Sequence, residues 1–152
     1  MRILLLWRHS LPSNSGRACG QRKSRIVLRR VRRLTMLDPA AARAFLQEAA
    51  RCRRLVAYRE MASALKVMPP NTIHQVTVAL ELLMEADAAA NRPLIAALAV
   101  SGTLGDLPRR GFFDCASRLG RFAGDPDGPD ARTFHAGEAD AAFVFWGGAD
   151  GK

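Results

Sequence analysis

The chain has 152 residues, 49% of them hydrophobic, and a formal net charge of +9. This length suits one ordinary domain with appendages, and the apolar share is enough to build a core. No apolar run approaches the roughly 20 residues that span a bilayer, and MRILLLW is shorter than the roughly 7–15 residue core of a signal peptide. These features predict a cytoplasmic protein with no membrane role.

The charge divides unevenly along the chain. Residues 1–35 hold ten Arg or Lys and no acid, whereas residues 36–152 hold 13 basic and 14 acidic residues. The high isoelectric point therefore comes from a basic arm and not from a basic domain face. With Pro12, Gly16, Gly20 and several serines, 1–35 is expected to be a disordered arm. A second reading makes Met36 the natural start and the arm an upstream extension without a role.

From Met36 the pattern becomes regular. Asp38 is a cap residue and Pro39 suits a first helical position, which predicts a helix over 39–54. Ala42, Phe45, Leu46, Ala49 and Cys52 form its apolar stripe. LVAY then reads as a short extended link, followed by a helix over 59–66 with Met61, Ala62 and Leu65 inward. Pro69 and Pro70 must break that helix. Asn71 is placed to cap a third helix over 72–89, lined inward by Ile73, Val76, Leu80 and Leu83.

Asn91 and Pro93 end this helix, and LIAALAVS is consistent with a buried strand. GTLGDLP is a turn, and a return strand over 109–113 would close a β-hairpin. A helix over 113–121, a loop in AGDPDGPDA and a last helix over 132–145 complete the pattern. The fold class expected is mainly α, with a winged helix-turn-helix core over 36–112 and a C-terminal helical extension over 113–152. Phe112, Phe113, Phe122, Phe134, Phe143, Phe145 and Trp146 would pack that extension onto the core. FVFW read as an exposed contact for a partner or a second copy is the alternative.

Helix, tight turn, helix, strand and Gly-rich loop is the order of a winged helix, whose second helix enters the major groove by its N-terminal residues. Here those are Asn71, Thr72, His74, Gln75 and Val78. Asn and Gln can make paired bonds to adenine edges, and Thr can bond a base or a phosphate. Arg59, Arg109 and Arg110 are the phosphate candidates. Glu81, Glu85 and Asp87 lie on the same helix and would repel phosphates, although they sit in its C-terminal half.

AYREMASAL resembles the TYGELAxAL stretch in the DNA-binding domain of alkylguanine-DNA alkyltransferases and alkyltransferase-like proteins. HQVTVAL resembles the start of their recognition helix, and LAVSGTLGD is similar to the S-x-G-x-(L/V)-G segment of their wing. The resemblance covers about 56–112. It implies that Tyr58 acts on a phosphate of the target nucleotide and that His74 stands where the family has an Arg that enters the base stack. The family's Pro-Cys-His-Arg has no counterpart in PLIAALAVS, so no thiolate is present to accept an alkyl group. The resemblance thus implies a non-enzymatic binder of double-stranded DNA.

Other readings compete. The same surface could dock a protein partner, making the chain an adaptor or inhibitor. WRHS resembles the Arg-His-Gly of histidine phosphatases, with His9 as nucleophile and Arg8 as phosphate clamp, but no alternation of strands and helices follows. Cys115, His135 and Asp140 could be imagined as a thiol triad, although nothing in the sequence constrains their geometry. Cys19, Cys52 and Cys115 are scattered and lack His in ligand spacing, so neither a disulfide framework nor a metal site is expected. No cofactor is expected.

Overall fold

The computed structural model describes residues 36–102 and 105–148, which belong to one compact unit beginning at Thr35. The basic arm, together with Arg8, His9 and Cys19, lies outside the described residues. The unit is mainly helical. Its elements are α1 (Pro39–Arg51), β1 (Val56–Ala57), α2 (Tyr58–Ala64), α3 (Thr72–Ala89), a 3-10 turn (Ile95–Leu98), β2 (Ala99–Val100), α4 (Arg110–Arg118) and α5 (Pro129–Gly147).

Helix α1 begins as its sequence dictates. The Asp38 carboxylate accepts the Ala40 N–H at 2.9 Å, and Pro39 occupies the first turn, where its missing N–H costs nothing. Ala42, Leu46, Ala49 and Ala50 are buried along one face. Helix α3 spans the expected residues, but Asn71 does not cap it through its side chain. Asn71 adopts a left-handed backbone conformation (φ 62°, ψ 40°), which turns the chain from the proline corner into the helix.

The expected hairpin wing does not form among the described residues. Of residues 109–113, anticipated as the return strand, Arg109 caps α4 and the rest are its start. Phe112, Phe113, Cys115 and Ala116 fall on one helical face and all four are buried, a pattern an alternating strand could not bury on one side. The preceding apolar run is a 3-10 turn with only two strand residues. Those two pair in parallel with β1, Val56 opposite Ala99 and Ala57 opposite Val100. In the stretch where the wing was anticipated, the Ser101 N–H donates to the Leu107 carbonyl at 2.8 Å.

A buried irregular segment needs partners for its backbone groups. Leu94, Ile95, Ala97 and Leu98 are 0% exposed, and side chains from two helices satisfy the backbone of 93–97. From α5, Trp146 Nε1–H donates to the Pro93 carbonyl at 3.1 Å, and Glu138 accepts the Leu94 N–H at 3.0 Å. His135 Nε2 lies 2.8 Å from the Ala97 carbonyl and must carry the proton, because that oxygen can only accept. From α3, Asp87 accepts the Ile95 N–H at 3.1 Å.

The aromatic residues do pack, as the sequence suggests. Phe122 and Phe134 lie 4.9 Å apart by ring centroid, and Phe112 meets Phe113 and His135 edge-to-face. Helix α5 packs against α1 and the 3-10 turn, so the residues expected as an extension belong to the same core as 36–112. Val144 and Phe145 stay exposed at the end of α5.

Burial holds the His135 imidazole below its ordinary range, against smaller opposing effects from the Ala97 carbonyl and Asp106. Its folded value is below its unfolded value, so the unfolded chain binds the extra proton. Its contribution to stability is therefore complete above about pH 6.5 and falls as the pH drops through that value. Denaturant unfolding at pH 7.5 and 5.5 should show lower stability at the acid end, and His135→Gln should flatten that slope.

Candidate nucleic-acid interface

Helices α2 and α3 meet at a corner built by residues 65–71. Lys66 and Asn71 both take left-handed conformations there. The Val67 N–H donates to the Ala62 carbonyl at 2.9 Å, closing the end of α2. The corner is then held from the inside. Gln75 is buried, and its Nε2 amide donates to the carbonyls of Met68 and Pro70, each at 2.9 Å.

This bears directly on the expected base-reading residues. Gln75, counted among them, faces inward and has both amide hydrogens engaged by the corner it stabilises. Asn71 and His74 are exposed, and Thr72 is half-buried beside them. Helix α3 thus presents Asn71, Thr72 and His74 at its N-terminal end without the Gln amide.

The phosphate candidates also separate. Arg110 is exposed but paired, with Asp127 at 2.8 Å and Asp114 at 3.8 Å. Arg59 and Arg109 are exposed and make no ion pair among the described residues. They come from positions fifty residues apart, yet both line one recess of about 250 Å³ with Ala57, Tyr58, Ile73, Ser101 and Gly102. Among the described residues no carboxylate lines it.

Tyr58 organises this recess. Its ring is buried, and its hydroxyl oxygen accepts the Arg109 N–H at 3.1 Å, tying the start of α2 to the start of α4. The Arg109 guanidinium carbon lies 6.0 Å from the centre of the same ring. Burial pushes the Tyr58 phenol up, against the lowering effects of the Arg109 N–H and charge. The phenol therefore stays protonated at ordinary pH and keeps a hydrogen to donate.

Sequence reasoning placed Tyr58, Arg59 and Arg109 but missed Ala57, Ile73, Ser101 and Gly102. The parallel pairing of β1 with β2 brings Ala57 beside Ser101 and Gly102, and nothing local announces it; Ile73 comes from the first turn of α3. Of the acids expected to repel phosphate from α3, Asp87 is buried against Arg43 and Arg92, and Glu81 lies 3.6 Å from Arg118. Glu85 is exposed.

The triad of Cys115, His135 and Asp140 has no support in the geometry. The Cys115 thiol is buried and pushed up chiefly by that burial, His135 is engaged by the Ala97 carbonyl, and Asp140 is exposed. Among the described residues, no group of three or more His, Cys, Asp or Glu is placed to hold a metal ion, and no helix is long and apolar enough to cross a membrane. Comparison with protein-family models, curated proteins and solved structures gives no match.

Replacing Gln75 by Ala leaves two carbonyls of the corner without their donor. An unfolding titration should show a loss of about 2 kcal/mol. A loss within experimental error would mean that the corner is held by something else.

Proposed function

We propose that the protein is a non-enzymatic binder of double-stranded DNA, with α2, the corner and the N-terminal end of α3 as its contact surface. The observation that carries this reading is the pair Arg59 and Arg109. In this unit most arginines are tied to carboxylates, including Arg43, Arg51, Arg54, Arg92, Arg110, Arg118 and Arg121. Two that are not flank one concave site without an acid in its lining. Guanidinium groups held ready in this way suit phosphate oxygens.

In this reading Arg59 and Arg109 hold the backbone while Asn71, Thr72 and His74 approach the groove. Lys66, exposed at the corner, is a further phosphate contact. With Gln75 turned inward, base recognition is sparse, and affinity comes mainly from phosphate neutralisation. The resemblance of AYREMASAL and HQVTVAL to the helix pair of the alkyltransferase DNA-binding domain supports this use of α3, although the wing of that domain has no counterpart among the described residues.

The full chain and a chain starting at Met36 should both bind duplex DNA, with affinity falling steeply as salt rises. Replacing Arg59 and Arg109 together by Ala should lower the affinity of the shorter chain about tenfold or more and reduce the logarithmic salt slope by about two. Binding by the full chain alone would assign the interaction to the basic arm and overturn this reading of the folded unit.

A second reading, a protein adaptor, is favoured by one observation. Met68 at the corner is 70% exposed, and Val144 and Phe145 on α5 are 71% and 50% exposed. Stable co-purification with a protein partner, lost in Met68→Ser or Phe145→Ser, would favour it.

A further inference from the structure

The Tyr58 recess differs from the open, flat surface on which a continuous phosphodiester chain lies. Its volume of about 250 Å³ is below the roughly 300–1,000 Å³ of ordinary ligand pockets, so it suits the end of a ligand. An internal phosphodiester carries a nucleoside on each side and offers one negative charge. A phosphate monoester carries one nucleoside, three terminal oxygens and close to two charges at pH 7.

The lining matches the monoester better. Two guanidinium groups, Arg59 and Arg109, supply two positive charges, with no acid among the described residues of the wall. The Tyr58 hydroxyl takes the Arg109 N–H as acceptor and retains its own hydrogen, with no protein acceptor among the described residues. That gives three side-chain donors for three oxygens. Ala57 and Ile73 add apolar wall for the carbon atoms of one sugar.

We propose that the recess formed by Tyr58, Arg59, Ile73, Ser101 and Arg109 is a receptor for a phosphate monoester, the phosphorylated end of a nucleic-acid strand. The inference rests on the nucleic-acid reading of this face and adds a preference for strand ends over continuous backbone. A free 5′-mononucleotide offers the same chemistry and competes for the site. The Arg109 guanidinium, set over the Tyr58 ring on a residue whose backbone N–H is held by the Tyr58 hydroxyl, is the principal anion contact, with Arg59 the second guanidinium of the lining.

The test measures binding of the full-length protein to one duplex sequence in three forms: covalently closed, linear with 5′-hydroxyl ends, and linear with 5′-phosphate ends. A 5′-mononucleotide serves as a separate ligand and as competitor. The phosphorylated form should bind about tenfold or more tightly than the other two. Replacing Arg109 by Ala should abolish that ratio, and Tyr58→Phe, which keeps the ring and loses the hydroxyl, should reduce it.

Equal affinity for all three duplexes overturns the end-receptor inference and leaves DNA binding standing. Binding of the mononucleotide in an Arg109-dependent way, with no duplex bound, supports the monoester site and overturns the DNA reading. Failure of both the mononucleotide and the phosphorylated duplex to bind overturns both.

Discussion

One buried carboxylate organises this fold. Asp87, 0% exposed near the end of α3, accepts from the Arg43 guanidinium on α1 at 2.8 Å, from Arg92 at 3.1 Å and from the Ile95 N–H at 3.1 Å. Trp146 from α5 lies against both guanidinium groups, at 4.9 and 5.1 Å from its ring. Three helices and the 3-10 turn therefore meet at a single charge. An ionised carboxylate is tolerated there because two cations and a backbone donor replace its water. Arg43 Nη1 and Arg92 Nε are buried without hydrogen-bond partners, a cost that the Trp146 ring offsets in part.

The recess depends on this arrangement at a distance. Asp87, Glu138, His135 and Trp146 hold the backbone of 93–97 in a buried turn. That turn delivers Ala99 and Val100 beside Val56 and Ala57, and the pairing is only two residues long. It brings Ser101 and Gly102 up to the start of α2, where the Arg109 N–H meets the Tyr58 hydroxyl. A two-residue parallel pair has little stability of its own. The side chains of α3 and α5 must position it. Loosening the Asp87 cluster therefore loosens the recess wall, although the two share no residue.

Much of this was legible in the sequence, and the failures have different causes. The Asp38–Pro39 start, the proline corner and the span of α3 follow from local chemistry, and the structure has them where local chemistry puts them. The inward turn of Gln75 was also written in the sequence, though not where the polar character of the residue directed attention. Buried positions of α3 are Gln75, Val76, Ala79, Leu80, Leu83, Met84 and Asp87, one continuous helical stripe. A stripe through Ile73, Val76, Leu80 and Leu83 leaves Gln75 and Asp87 outside it, whereas the buried stripe takes both inward and leaves Ile73 half-buried. Both polar residues are core members because each has partners there, Gln75 in the corner carbonyls and Asp87 in Arg43, Arg92 and the Ile95 N–H. The start of α4 also had a local signal, the helical spacing of Phe112, Phe113, Cys115 and Ala116, whereas the parallel pairing of β1 with β2 had none, because it joins residues 43 apart.

The near-neutral charge of residues 36–152 does not by itself set what a bound anion meets. Charges separated by more than about 8–10 Å are largely screened at physiological salt, so the local arrangement decides what an anion meets. Seven arginines face carboxylates, and the acids they pair with, Glu48, Glu60, Glu81, Asp87, Asp127 and Glu138, are neutralised in turn. Pairing thus removes cations and anions from the surface field together. Around the recess the remainder is two guanidinium groups and no acid in the lining. An overall charge of about zero is the sum of many closed pairs and a few open sites, and an anion meets Arg59 and Arg109 as an open positive site.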